Sequence, residues 1–269
     1  SHVVSTYFFT AFQVIAAREL IRFVHQRGRF LSALVRALVW LLIFAAGFRA
    51  ALGVSIVAPY QTYITYEIYI LPGLCGMILL FNSMQSSLSL VYDRELGSIR
   101  LLLTAPLPRW WLLFSKLAAG TFVGCLQAYA FLTVAALFGV TLPLVGYALA
   151  LPALVLSGFM LGALGLMISS VIKRLENFAA VMNFVIFPMF FLSSALYPLW
   201  RMKESSKLLH DICALNPFTH AVELIRFALY QRFNGDAFLI VLGCTVLFLA
   251  GAIIAYDPAR GLISRKRQQ

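Results

Sequence analysis

From Leu117 to Ile172 the chain carries no Asp, Glu, Lys, Arg or His, a run of 56 residues. A helix needs about 20 apolar residues to cross a ~30 Å hydrocarbon layer, so the run predicts two spans, with Gly139, Pro143 and Gly146 marking the turn between them. A second charge-free run of 25 residues, Ile68 to Tyr92, lies upstream. With 62% hydrophobic and 12% charged residues, too little polar surface is left to coat a soluble globule. Lipid must therefore be the solvent, and only helices or a closed barrel satisfy the backbone there. The pattern predicts an all-α integral membrane protein forming one transmembrane domain over residues 1–269.

Six spans are expected, at about 34–57, 68–91, 111–138, 147–172, 177–197 and 237–256. Arg49 is the one charge inside the first, near enough to its far end to snorkel. Before it, residues about 7–28 predict an interfacial amphipathic helix. Ala16, Ala17, Leu20, Ile21, Phe23 and Val24 fall on one side, and Arg18, Glu19, Arg22, His25 and Gln26 on the other. Arg27, Arg29 and Arg36 follow as a basic cluster suited to anionic headgroups. The chain opens on Ser1, so a trimmed native start is expected, and no secretory signal pattern precedes the first span. In the second span Asn82, Gln85, Ser86 and Ser89 recur at i, i+3, i+4 and i+7. This polar stripe must face protein or water, either as helix-helix hydrogen bonds or as the lining of a translocation path. Asn183 and Ser193 in the fifth span join it as path candidates. Gly158, Gly162 and Gly165 predict close packing of the fourth span.

With both termini placed inside, 15 Lys and Arg lie on the inner side and 6 on the outer, which fixes the orientation and accounts for the net charge of +11. No nucleic-acid partner is needed to explain that charge, and no binding module for one is visible. Of the four cysteines, Cys75, Cys125 and Cys244 sit in apolar runs, so Cys213 alone is expected to face water; none has ligand spacing. The four histidines are scattered, no metal site is expected, and His210 with Asp211 reads as a surface pair.

Between the second and third spans lies the most charged inner segment, YDRELGSIRLLLTAPLPRWWLLFSK, Tyr92 to Lys116. Leu96, Ile99, Leu102 and Leu103 share a helical face, while Pro106 and Pro108 stop the helix, giving a short helix over about 95–104. Trp110 and Trp111 then mark entry into the headgroups. On the outer side, residues about 198–232 hold a second irregular element. Asn216 and Pro217 supply a cap and a first-turn proline to a helix too short to cross, apolar enough to leave water, and therefore re-entrant. Glu223 and Arg226, at i, i+3, are expected to pair within it.

These two segments resemble the ABC type-2 transporter permeases, the membrane subunits of exporters for drugs, lipids and polysaccharides. Glu95, Gly97, Ser98, Leu102, Thr104, Pro106, Arg109 and Lys116 match the first cytoplasmic loop of that family. NPFTHAVELIR, Asn216 to Arg226, matches the stretch before its last span. The resemblance implies that 95–104 is a coupling helix, with Glu95, Gly97, Ser98, Arg100, Leu102, Thr104, Pro106 and Arg109 serving the ATPase contact. It also implies an outer re-entrant hairpin gate at Asn216, Pro217, Glu223 and Arg226, and a path between two permease copies lined by the second and fifth spans. Further implied are two cytoplasmic ABC ATPase subunits, a bacterial inner-membrane location and an amphiphilic or lipid-like substrate. The branch most similar is that of drug and nodulation-factor exporters, with permeases associated with bacterial alcohol oxidation also near.

No G-x-x-x-x-G-K-[ST] occurs in the chain. It binds no nucleotide through such a loop, and ATP and Mg are expected on the partner ATPase rather than as cofactors here. The rival class is a secondary transporter or channel without an ATPase. Such proteins ordinarily carry midplane carboxylates or broken helices, whereas Glu67 and Asp257 lie at span ends.

Overall fold

The computed structural model describes residues 2–25, 27–48, 59–60, 64–95, 109–171 and 175–255. Among them no strand occurs. The described residues form ten helices in sequence: α1 His2–His25, α2 Arg27–Phe48, α3 Tyr66–Glu95, α4 Arg109–Leu137, α5 Leu144–Val171, α6 Leu175–Phe191, α7 Leu199–Ser205, α8 Lys207–Leu215, α9 Pro217–Leu229 and α10 Gly235–Ala255.

Four of these, α3, α4, α5 and α10, are long and apolar enough to cross a membrane, and α2 adds a shorter apolar stretch over Phe30–Phe44. The charge-free run becomes α4 and α5, joined by a tight turn in which Gly139 adopts φ 92°. That backbone conformation favours a residue without a Cβ. Helix α3 passes through Pro72 without interruption. Helix α6 ends at Phe191, short of the expected 197, because residues 192–198 turn back on themselves. Arg49, the rest of the expected first span and most of the coupling segment lie outside the described residues.

Helices α3 and α5 form the centre. Helix α5 packs against α10, α3, α9 and α4, and α3 against α5, α4, α2, α9 and α6. The main core runs through Ile70, Leu71, Leu74, Met77 and Leu80 of α3, Phe131 of α4, Leu154 and Leu161 of α5 and Val222 and Ile225 of α9. Leu113 and Leu117 of α4 with Ala163 and Leu166 of α5 and Ala252 of α10 make a second cluster. At Gly73 an added Cβ would lie 2.7 Å from the Ala195 Cβ and 2.8 Å from the Ala195 carbonyl oxygen, so only glycine lets α3 meet the turn after α6.

Helix α1 divides its faces differently from the expectation. Phe12, Ile15, Glu19 and Leu20 are turned partly inward, while Val14, Ala17, Ile21 and Val24 are exposed beside Arg18. The inward face is set by α4: the Trp111 indole donates to the Phe8 carbonyl at 3.1 Å, and Lys116 reaches Glu19 at 3.5 Å. Cys213 is also corrected. It is fully buried, because amphipathic α8 turns it towards the bundle.

Candidate functional site

A dense polar cluster lies where α9 meets the start of α3 and the turn after α6. Asn216 caps α9, its Oδ1 accepting from Phe218 N at 3.0 Å. Its Nδ2 donates to the Met189 and Leu192 carbonyls at 2.7 and 2.8 Å, so the same side chain closes α6. Pro217 occupies the first turn, where its missing N–H costs nothing. Helix α9 buries Phe218, Ala221, Val222, Leu224 and Ile225, and with them Arg226.

Arg226 is 1% exposed. Its Nη1 pairs with the Glu223 carboxylate, its Nη2 donates to the Tyr69 carbonyl at 3.1 Å and the Ser194 carbonyl at 3.3 Å, and its guanidinium lies 4.1 Å over the Tyr69 ring. Glu223 also accepts from Ser194 Oγ at 2.7 Å, and the Tyr69 hydroxyl donates to the Ser194 carbonyl at 2.8 Å. A buried ion pair tolerates desolvation only when its remaining donors and acceptors are met in this way. Tyr60 packs edge-on against Tyr230 at 4.7 Å, and burial beside the pair pushes its phenol up to about 12. Its hydroxyl lies beside the guanidinium, yet neither Tyr60 Oη nor Arg226 Nε has a well-aligned hydrogen bond. The cluster has no nucleophile and no vacant ligand set; it holds helices together.

The second polar region is a cleft between α3, α4 and α5, lined by Asn82, Ser83, Ser86, Lys116, Thr121 and Gly158 among others. Asn82 is buried and donates to the Gly120 carbonyl at 2.8 Å; Gln85 and Ser86 are half-buried. Gly158 and Gly162 face Thr121 and Leu117 of α4, which brings the two helices together. Of the other path candidates, Ser193 is buried and donates to the Phe190 carbonyl, Asn183 is exposed on α6, and the Ser89 side chain lies outside the described residues.

Of the coupling residues, Glu95 is the last residue of α3 and Arg109 the first of α4, their side chains undescribed; Gly97, Ser98, Arg100, Leu102, Thr104 and Pro106 lie outside the described residues. What is described is the frame around them: α3 and α4 converge on this segment, and α1 grips α4 just beyond it. Phe8 meets Trp111 edge-on at 5.4 Å, and Phe12 lies 6.2 Å from the same ring.

A family model described as ABC-2 type transporter matches residues 10–230. The chain belongs to the ABC-2 type transporter family. It is a transport permease, and its apolar helices make it a multi-pass membrane protein. This ABC-2 permease is 29% identical over 238 residues to the transport permease ycf38 of Cyanophora paradoxa, covering 84% of the chain and 77% of that protein. It is 28% identical over 170 residues to the multidrug ABC transporter permease YbhR of Escherichia coli, covering 62% of the chain and 45% of that protein. Nodulation protein J of Sinorhizobium fredii is 28% identical over 117 residues, 44% of the chain and 42% of that protein.

The sequence of the ABC-2 permease points to Glu223 and Arg226 as a pair, but it marks Ser194 only as a polar residue of the fifth span and gives no role to Tyr69 or Tyr60, and these three complete the surroundings of the pair. It also grouped Arg36 with the surface basic cluster, whereas the guanidinium lies half-buried, 4.2 Å over the Phe81 ring. Nine residues separate Arg36 from Arg27, about 13 Å of helix, and that distance was the available signal.

Proposed function

We propose that the chain is the six-span permease subunit of an ATP-driven exporter in the bacterial inner membrane, with both termini in the cytoplasm. Two copies work over two cytoplasmic ATPase subunits, which carry the ATP and Mg. Family membership over residues 10–230 is the observation that carries this reading. In it, the segment from Glu95 through Gly97, Ser98, Arg100, Leu102, Thr104 and Pro106 to Arg109 enters the ATPase. Its movement passes to α3 and α4 together, and to α1 through Trp111 and Lys116.

The path runs between the copies along the exposed face of α6, which bears Asn183. At its inner end the path meets the cleft between α3, α4 and α5, which Asn82 and Ser86 of α3 line and to whose helix Gln85 and Ser89 also belong. Ser193 lies towards the outer end, beside the gate formed by Asn216, Pro217, Glu223 and Arg226. The cargo is amphiphilic or lipid-like.

Affinity purification of the tagged chain from its native membrane tests the assignment. An ABC ATPase should co-purify, and a cysteine placed at Ser98 should crosslink to it. Glu95→Ala should leave membrane insertion intact while uncoupling ATP hydrolysis from transport. Purification without any ATPase, or full transport by Glu95→Ala, would sink the reading.

A further inference from the structure

Among the described residues Arg36 is a cation without a counter-charge. Its guanidinium lies 4.2 Å over Phe81, and among the described residues it forms no ion pair and no hydrogen bond. Phe81 lies within the apolar span Tyr66–Ser86 of α3, five residues or about 8 Å from its Ser86 end, and Arg36 lies within the apolar stretch Phe30–Phe44 of α2. A charge at that depth is costly and ordinarily has a partner.

The sequence offers few carboxylates near Arg36. No Asp or Glu lies between Glu19 and Glu67, between Glu67 and Asp93, between Glu95 and Glu176, or between Glu176 and Glu204. Among the described residues, Glu19 is taken by Lys116 and Arg22, and Glu223 by Arg226.

Around Arg36 the surface is aromatic and open. Phe81 meets Phe187 edge-on at 6.2 Å, and Phe187 stacks with Phe191 at 6.4 Å. Phe187, Phe191 and Phe184 are 39, 43 and 79% exposed, and Asn183 is exposed one turn before Phe187. A cation beside a broad apolar shelf matches a molecule with an anionic group on an apolar tail.

We propose that Arg36, backed by Phe81 and the α6 shelf, binds the phosphate or carboxylate group of a transported anionic amphiphile. The inference rests on the exporter reading and names its substrate class. A bulk phospholipid headgroup offers the same oxyanion chemistry, and the phosphatidylglycerol arm of the test below separates the two sources. Guanidinium suits the role, since it stays charged and donates in a fork that matches an oxyanion.

Trp40 provides a reporter, its ring lying 5.9 Å from Phe191 and 5.8 Å from Phe190. The full chain in phosphatidylcholine nanodiscs is titrated with brominated dodecyl phosphate and with brominated dodecanol. Quenching that disappears in Trp40→Phe is taken as the signal. The phosphate should act at about tenfold lower concentration, as expected for a charge-assisted contact. Arg36→Gln should erase that preference and Arg36→Lys should keep part of it.

Equal potency of the two probes on the unaltered protein overturns the proposal without reliance on any variant. An undiminished preference in a monodisperse Arg36→Gln protein overturns it as well. If doping the discs with phosphatidylglycerol abolishes the preference, bulk lipid occupies the site and the cargo assignment fails. The readout needs neither ATP nor ATPase. A failed preference beside a co-purifying ATPase therefore removes only the anion assignment, and a preserved preference with no ATPase removes only the exporter reading.

Discussion

Arg226 and Arg36 both lie over aromatic rings, at 4.1 Å from Tyr69 and 4.2 Å from Phe81, the first fully buried and the second half-buried. Around Arg226 the protomer supplies a carboxylate and two main-chain carbonyls. Around Arg36 it supplies the ring and an open shelf. The difference teaches that burial of a charge has two uses in one bundle. A charge whose partners are all internal fixes helices, and one with no ion-pair partner among the described residues is, in the proposal above, free to meet an anion from outside the chain.

The contrast breaks most visibly at the first site. Glu223→Ala leaves Arg226 buried against carbonyls alone and should cost about 3–5 kcal/mol, read as a large fall in Tm of the solubilised protein. Adding Arg226→Ala should recover part of it; a double variant no more stable than the worse single variant would show that the two side chains do not act as a pair. Next comes Gly73→Ala, whose Cβ meets Ala195 backbone rather than a movable side-chain tip, with an expected loss of about 1–3 kcal/mol. An unchanged Tm there would mean that the turn after α6 yields easily.

Tyr60 sharpens the same side of the comparison through pH. Its folded pKa, raised to about 12 by burial, lies above the ordinary 10.0, so its neutral phenol favours the folded state below pH 10. That contribution is lost as pH rises through about 12. The unaltered protein should lose stability more steeply than Tyr60→Phe over this window; parallel curves would place Tyr60 in water. Arg36→Gln should change Tm little, by less than about 1 kcal/mol, because no internal partner is orphaned. A loss matching that of Glu223→Ala would make Arg36 structural. The smallest effect belongs to Glu19→Gln: its side chain, 14% exposed, meets Lys116 at 3.5 Å and Arg22 at 3.9 Å. About 0.2–1 kcal/mol, checked by a double-mutant cycle with Lys116→Met, is expected.

Much of the bundle was legible before any coordinates, for a physical reason. Lipid forbids charge along a span, so the 56-residue run announced α4, α5 and the turn between them. The Glu223–Arg226 pair was legible because i, i+3 spacing on a helix is a local property. Tyr69 and Ser194 were not, since they reach Arg226 through tertiary packing alone. The early end of α6 at Phe191 was hidden similarly: Ser193 and Ser194 look tolerable in an apolar helix until their bonds to Phe190 and Glu223 are seen. Helix α1 misled by its own amphipathicity, because Lys116 on α4 draws Glu19 inward and leaves Ile21 and Val24 outside. Arg36 was misread because adjacency to Arg27 and Arg29 in sequence concealed how far along the helix it stands.

The Arg226 contacts carry a consequence for the order in which the chain is made. The Tyr69 carbonyl precedes Arg226 by 157 residues and the Ser194 carbonyl precedes it by 32. During synthesis both acceptors leave the ribosome first and must wait for their donor, while Glu223, three residues ahead, arrives almost together with it. The ion pair can therefore form inside the nascent hairpin before docking, so that a neutralised unit, and not a bare cation, is delivered to α3. Sequence proximity here is a matter of timing: it shelters the charge during the interval in which the remaining partners are still out of reach.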